Sequence, residues 1–151
     1  MFADRAAALA LSFAVVLAIA VGAPEARAQA TPDYAALLAA PDRSDADRDA
    51  DKRRDPLPLL KFAAPRPGMM VLDMGAGGGY STELMARAVA PNGKAYGQYP
   101  ADGPQRAIDA FNARLKAPAM SNAVADFRPF DDPIPPDVSN LDLIKIGRAH
   151  V

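Results

Sequence analysis

Apolar and polar residues divide the chain into three regions with different patterns. Residues 6–21 form an apolar run in which Ser12 is the single polar residue. In residues 42–55, 11 of 14 side chains are charged. From Pro56 onward, apolar runs of strand length alternate with segments whose apolar residues recur at helical spacing. This alternation predicts an α/β domain.

The third region predicts a parallel sheet. Apolar runs bounded by turn residues predict strands at 69–72, 94–99 and 122–127, and the beginning of a fourth at 141–144. Amphipathic segments predict helices at 81–90 and 105–115, and shorter ones are expected at 34–40 and 56–62. A strand–helix–strand–helix–strand order is typical of a parallel sheet with right-handed crossovers.

Helix 81–90 is predicted to begin with Ser81 or Thr82 as its N-cap, since hydroxyl side chains satisfy the first helical amides. Its inward face is predicted to hold four apolar residues: Leu84, Met85, Ala88 and Val89.

Residues 42–55 contain six Asp and five Arg or Lys. This near balance predicts a solvated helix or loop with ion pairs of about 0.2–0.5 kcal/mol each; folding over a ligand as a lid is the alternative. The spaced aspartates do not fit a calcium loop, which needs Gly at its sixth position and Glu at its twelfth.

The N-terminal apolar run is typical of a cleaved secretory signal. Small-residue cleavage patterns follow it at Ala26-Arg27-Ala28 and Ala28-Gln29-Ala30. A helix of 16 residues reaches about 24 Å, less than the ~30 Å hydrocarbon core, so an uncleaved anchor is the weaker alternative. We therefore expect a periplasmic or secreted protein without a stable membrane anchor.

The last six residues, 146–151, read Ile-Gly-Arg-Ala-His-Val and resemble the translation of a widely used short-read sequencing adapter. On this interpretation Lys145 is partly adapter as well, and the single histidine is not native. We expect the natural protein to continue beyond the apolar stretch 141–144.

Composition excludes several chemistries. The chain has no cysteine and one histidine, which excludes disulfides, thiolate sites, a cysteine nucleophile and a multi-histidine metal site. Lys plus Arg is 17 against 18 for Asp plus Glu, a net charge of −1, which argues against binding nucleic acid. No metal site is predicted.

The candidate chemistry lies in a glycine-rich turn after the first strand of the domain. Asp73, Gly75, Gly77 and Gly79 alternate with other residues there. Such a turn needs glycine where φ is positive and where a ligand presses against the backbone. The dinucleotide-binding spacing would place Gly or Ala at Tyr80, and no Gly-Lys-Ser/Thr follows, so neither dinucleotide nor nucleotide-hydrolase loops match. A tight turn without a ligand is the alternative.

Residues 71–80, Val-Leu-Asp-Met-Gly-Ala-Gly-Gly-Gly-Tyr, resemble the first motif of class I S-adenosylmethionine-dependent methyltransferases. Residues 66–69 and 91–98 resemble an exported bacterial branch of that superfamily, and the resemblance covers about 42–144. It implies a Rossmann-like α/β fold with seven strands, here truncated after the start of strand four. It also implies S-adenosyl-L-methionine as cofactor, held by Asp73, Gly75, Ala76, Gly77, Gly79, Tyr80, Tyr99 and Asp126.

Two of these positions carry particular expectations. Tyr99 stands where the resemblance implies an acid that binds both ribose hydroxyls. Asp102 in the following loop is an alternative for that role, although a turn residue is the favoured interpretation of it. Asp126 stands at the position of the acid that contacts adenine; a surface aspartate is the alternative. The absence of the ribose acid raises the question of whether the cofactor is bound tightly.

Residues 1–30 are therefore interpreted as a signal peptide, 31–64 as a helical and charged extension, 65–145 as a truncated methyltransferase domain and 146–151 as adapter. The predicted function is an exported methyltransferase acting on a small-molecule, envelope-component or protein acceptor, with the fragment itself inactive. A non-catalytic cofactor-binding module is the first alternative, because S-adenosylmethionine is made in the cytoplasm. A nicotinamide-dependent oxidoreductase is the second. The catalytic residues and the oligomeric state are not predicted.

Overall fold

A computed structural model of the protein describes residues 30–147. The predicted signal segment up to residue 29 and residues 148–151 of the adapter-like tail lie outside this range. The elements of the described range are α1 (Tyr34–Leu38), α2 (Asp45–Arg54), α3 (Pro56–Ala63), β1 (Met70–Met74), α4 (Tyr80–Val89), β2 (Lys94–Gln98), α5 (Gln105–Arg114), a 3-10 turn (Pro118–Met120), β3 (Ala123–Asp126) and β4 (Leu143–Ile146). No helix in this range is both long and apolar enough to cross a membrane.

The four strands form one parallel sheet in the order β3-β2-β1-β4. Met74 of β1 pairs with Gln98 of β2 and with Ile146 of β4, and Gln98 pairs with Asp126 of β3. The carboxyl ends of all four strands therefore meet at one edge. The predicted α/β class and parallel sheet are confirmed, with strand boundaries shifted by one or two residues.

The core lies between the sheet and helices α4 and α5. Val71 of β1 and Phe111 of α5 belong to this core, and each is 0% exposed. All four residues predicted for the inner face of α4 are buried, which confirms its orientation: Leu84, Met85, Ala88 and Val89. Complete burial of a Leu, Met or Val side chain stabilises the fold by about 1.5–3 kcal/mol.

The predicted N-cap of α4 is wrong. Gly79 occupies the N-cap position with φ 80°, and no side chain caps the helix. The hydroxyls of Ser81 and Thr82 instead donate to Oδ2 of Asp73, each at 2.7 Å. A buried carboxylate without donors costs more free energy than first-turn amides left to solvent, so the hydroxyls serve the carboxylate.

The charged segment, residues 42–55, contains a helix as expected, capped by Ser44, whose Oγ accepts from the amide of Asp47. The prediction that it is solvated is wrong for one face, because Arg43 and Asp47 are each 5% exposed. Burial of this face is offset by ion pairs, because Asp47 binds Arg114 of α5 and Arg43 binds Asp51 within the segment.

Candidate functional site

The glycine loop, residues 75–79, connects β1 to α4 at the carboxyl edge of the sheet. Gly75, Gly77 and Gly79 all have positive φ, as the spacing predicts. An ideal Cβ on Gly79 would lie 2.5 Å from Cδ2 of Phe111, whereas one on Gly77 would meet nothing within 4 Å. Gly79 is therefore required for packing, and Gly77 is the glycine that faces open space.

The amides of the glycine loop fall into two groups. That of Gly79 donates to the carbonyl of Ala76 at 2.9 Å. Among the hydrogen bonds of residues 30–147, none uses the amide of Gly77 or of Gly78 as donor. Two adjacent N–H groups without an acceptor in this range, beside the open side of Gly77, suit a negatively charged group of a ligand.

Gln98, the last residue of β2, binds the glycine loop through hydrogen bonds and is 0% exposed. Its Oε1 accepts from the amide of Gly75 at 3.1 Å, and its carbonyl accepts from Ala76 at 2.9 Å. Its Nε2 donates to the carbonyl of Arg128 at 2.6 Å. The sequence prediction missed Gln98; a long polar side chain after the apolar residues Ala95 and Tyr96 was the available signal.

Asp73 is at the carboxyl end of β1 but is 0% exposed. Besides the two hydroxyls on Oδ2, Nζ of Lys145 lies 2.8 Å from its Oδ1 and 2.9 Å from Oγ of Ser81. The carboxylate therefore joins β1, the start of α4 and β4. Lys145 belongs to the stretch that the adapter interpretation assigns partly to foreign sequence.

Tyr80, the first residue of α4, points towards the charged segment. Its hydroxyl donates to Oδ1 of Asp51 at 2.5 Å, and the guanidinium of Arg54 lies 4.9 Å from its ring centroid. Burial, reinforced by the Asp51 carboxylate, raises the pKa of Tyr80. The phenol therefore stays neutral at physiological pH and remains a donor to Asp51.

Tyr99 and Asp126 meet at the same edge, where the amide of Tyr99 donates to the carbonyl of Asp126 at 3.0 Å. The tyrosine ring packs over Gly103, since an ideal Cβ there would lie 2.4 Å from Cε1 of Tyr99. The structure thus brings together the two positions that the resemblance placed at the ribose and the adenine.

Asp126 is buried, so the surface-aspartate alternative is wrong. The residue is 8% exposed, and its Oδ2 has no hydrogen-bond partner among residues 30–147. Burial raises the pKa of Asp126. A buried acceptor oxygen without a donor is costly and suits a ligand that brings an N–H group.

Phe130 is a second residue that the sequence prediction missed. Its Cε1 lies 3.8 Å from the position of an ideal Cβ on Gly75, and the residue is 53% exposed. The loop after β3 thus places an aromatic side chain beside the glycine loop. No sequence motif distinguishes this phenylalanine from its neighbours.

No protein-family model matches the chain. A protein-L-isoaspartate O-methyltransferase of Aeropyrum pernix is 47% identical over 38 residues, which are 25% of this chain and 15% of the relative. A methyltransferase from Aquifex aeolicus, described as SAM-dependent, superposes with a TM-score of 0.54 and 21% identity over 76% of this chain and 56% of its own. A SAM-dependent O-methyltransferase from Thermotoga maritima superposes with a TM-score of 0.53 and 18% identity over 62% of this chain and 34% of its own.

These similarities define the class of fold. The described domain has the Rossmann-like fold of class I methyltransferases, with its sheet in the parallel arrangement reported above. The chain spans 15% of the curated relative's length and between about a third and just over half of the two solved chains.

Proposed function

We propose that this protein is a methyltransferase that binds S-adenosylmethionine along the glycine loop and the carboxyl ends of β2 and β3. The observation that carries the proposal is that two features lie at the same edge of the sheet: an open glycine, Gly77, and the buried Oδ2 of Asp126, which has no hydrogen-bond partner among residues 30–147. The fold and the 47% identity over 38 residues to a protein-L-isoaspartate O-methyltransferase support the same function.

The residues of this edge fit the chemical groups of the cofactor. S-adenosylmethionine has a carboxylate at one end, which the amides of Gly77 and Gly78 would bind. It has an exocyclic amine on adenine, which would donate to Oδ2 of Asp126 and remove the cost of that unpaired acceptor. The absence of a Cβ at Gly77 leaves room for close approach to the backbone.

The bound cofactor supplies a methyl group on a sulfonium, which is reactive towards a nucleophile of the acceptor. The residues of this chain bind and orient that group. The glycine loop and Asp126 hold its two ends, and Gln98 keeps the loop against the sheet. Alignment of the reacting atoms is the main contribution expected of the protein.

Calorimetry on the full-length product of the gene tests this proposal with three ligands: S-adenosylmethionine, its demethylated product and NAD. We expect the first two to bind and NAD not to bind. Asp126→Asn should weaken binding by about 1.5–3 kcal/mol, the typical value for a hydrogen bond to a charged group. Asp45→Asn, on the exposed face of α2, is the matched control. Binding of NAD alone would overturn the proposal in favour of an oxidoreductase.

A non-catalytic module with the same ligand is the second candidate, and Tyr99 favours it because no carboxylate stands there for the ribose hydroxyls. Binding without turnover on any acceptor would identify this case. Tyr99→Glu should tighten binding if the position faces the ribose, because a carboxylate accepts two hydrogen bonds. Tyr99→Gln, which adds no charge, is the control.

The proposal includes export and an acceptor other than nucleic acid. Export is supported by the apolar run 6–21 with its small-residue cleavage patterns, and the acceptor class by the net charge of −1. N-terminal sequencing of the protein from a Gram-negative host should find the first 28 or 30 residues removed. An exported protein that retains Met1 would contradict cleavage.

Resequencing of the source DNA should find other codons in place of those for residues 146–151. Recovery of the same codons before a natural stop would contradict the adapter interpretation.

A further inference from the structure

Arg114, the last residue of α5, connects the glycine loop to the charged segment. Its Nε donates to the carbonyl of Gly78 at 3.0 Å. Its two terminal nitrogens each donate to the carboxylate of Asp47 at 2.8 Å, and one of them also donates to Glu83. One guanidinium thus binds the loop, α2 and α4 together, and its planar fork is suited to such multiple contacts.

The bond to Gly78 fixes one peptide group of the glycine loop at both ends. Arg114 holds the carbonyl of the peptide between Gly78 and Gly79, and the N–H of the same peptide donates to the carbonyl of Ala76. Carbonyl and N–H of a trans peptide point in opposite directions, so rotation of this group would break both bonds. Glycines flanking a peptide permit such rotation at low cost, which makes an external restraint necessary.

The charged segment holds the guanidinium in turn. Asp47 is buried, and Arg114 lowers the pKa of its carboxyl, so that both groups stay ionised at neutral pH. The same segment reaches the first residue of α4 through the bond from Tyr80 to Asp51, which also binds Arg43. The segment therefore contacts the loop-to-helix junction at two points, one of them through Arg114.

We infer that Arg114 is a positioning residue for cofactor binding: held by Asp47 and Glu83, it keeps the Gly78–Gly79 peptide oriented so that the neighbouring amides of Gly77 and Gly78 can receive the ligand. The charged segment is thereby a part of the binding site and not a solvated extension. The identity of the ligand rests on the proposed function; the restraint on the loop does not.

Arg114→Lys tests this inference, because lysine keeps the charge but has a single nitrogen and cannot hold Gly78, Asp47 and Glu83 together. Arg87→Lys is the matched control. Arg87 also bridges two carboxylates, those of Asp42 and Glu83, but makes no contact with the glycine loop among residues 30–147. Both variants are made in the full-length gene product, and binding is measured at a temperature where circular dichroism shows each to be folded.

Two readouts are compared. The first is hydrogen exchange of the Gly79 amide without ligand, which we expect to be about tenfold faster in Arg114→Lys and unchanged in Arg87→Lys. The second is the Kd for S-adenosylmethionine, expected to rise about tenfold in Arg114→Lys and to stay unchanged in the control. A merely structural role would lower the Tm of both variants and leave the Kd of the folded proteins alone.

The outcomes separate this inference from the proposed function. Faster exchange in Arg114→Lys together with a raised Kd supports both. Faster exchange in Arg114→Lys, when the wild-type protein binds no S-adenosylmethionine, overturns the proposed function and leaves the loop restraint standing. Equal exchange in the two variants, or an equal Kd, overturns the positioning role.

Discussion

Gly79 and Phe111 are in such close contact that a side chain on the glycine would overlap the ring, with an ideal Cβ 2.5 Å from Cδ2. The same ring also excludes a Cβ on Gly97, which would lie 2.3 Å from its Cζ. Phe111 is thus packed between the glycine loop and β2. Through this contact α5 determines how closely the loop can approach the sheet.

Gly77 and Gly79 of the loop should differ in their response to alanine. Gly79→Ala combines a left-handed φ with overlap against Phe111, so we expect a loss of about 2–5 kcal/mol in the free energy of unfolding. Gly77→Ala carries only the backbone cost, about 1–2 kcal/mol. Urea unfolding of both variants measures the difference. Equal losses would show that the ring adapts at no cost.

For ligand affinity, in contrast to stability, Gly77 should be the more sensitive of the two glycines. Gly77→Val places a branched side chain in the open space beside the loop, where S-adenosylmethionine is proposed to bind. We expect calorimetry to detect no binding to this variant, while circular dichroism shows the sheet intact. Unchanged affinity would remove Gly77 from the site.

Asp73 should matter for folding more than for ligand affinity. Its carboxylate accepts from Ser81 and Thr82 on one oxygen and from Lys145 on the other. Asp73→Asn turns one of these acceptors into a donor, and we expect a loss of about 1–3 kcal/mol in unfolding free energy. A large loss of affinity with unchanged stability would show instead that the carboxylate contacts the ligand directly.

We expect Asp126 to make the stability of the fold fall as the pH rises. Burial raises its pKa, so the folded state binds the proton more tightly than the unfolded state, whose value is near 3.9. Its contribution to stability is therefore present below about pH 4 and is lost as the pH rises through the raised value. Thermal unfolding of Asp126→Asn should lack this decline. A decline that persists in the variant would assign it to another group.

The contribution of the charged segment to the stability of the fold should fall both in acid and in alkali. Hydrogen bonds from arginine lower the pKa values of Asp47 and Asp51, so their contribution is present above about pH 4 and lost as the pH falls through the lowered values. The pKa of Tyr80 is raised, so its contribution is complete below about pH 10 and is lost as the pH rises through the raised value. Hydrogen exchange in α2 against pH measures both limits. Tyr80→Phe should abolish the alkaline limit alone.

We expect the 151-residue chain to self-associate through β4. Within residues 30–147 this strand lies at an edge of the sheet, with Ile144 49% and Ile146 73% exposed. Exposed apolar edge strands pair with other chains. Ile144→Lys should raise the concentration at which light scattering detects aggregates. Identical aggregation of the variant would place the association elsewhere.

Local sequence determined the part of the fold around the glycine loop. The apolar run of β1, the glycines at alternate positions and the helical spacing of α4 are encoded within about 20 consecutive residues, and short-range patterns of this kind fix element type. The positive φ values of Gly75, Gly77 and Gly79 follow from the same spacing. These features were predicted correctly.

Tertiary structure decided which polar residues are buried and what they contact. Asp47 and Arg114 lie 67 positions apart and Gln98 reaches Arg128 across 30, so no local pattern shows that these partners meet. The near balance of charges in residues 42–55 predicts a solvated segment, yet Asp47 is buried against Arg114 of α5, and Arg43 is buried against Asp51. Ser81 and Thr82 match an N-cap by sequence, but the buried carboxylate of Asp73 takes their hydroxyls. Pairing over long distances in sequence exists only once the chain is packed.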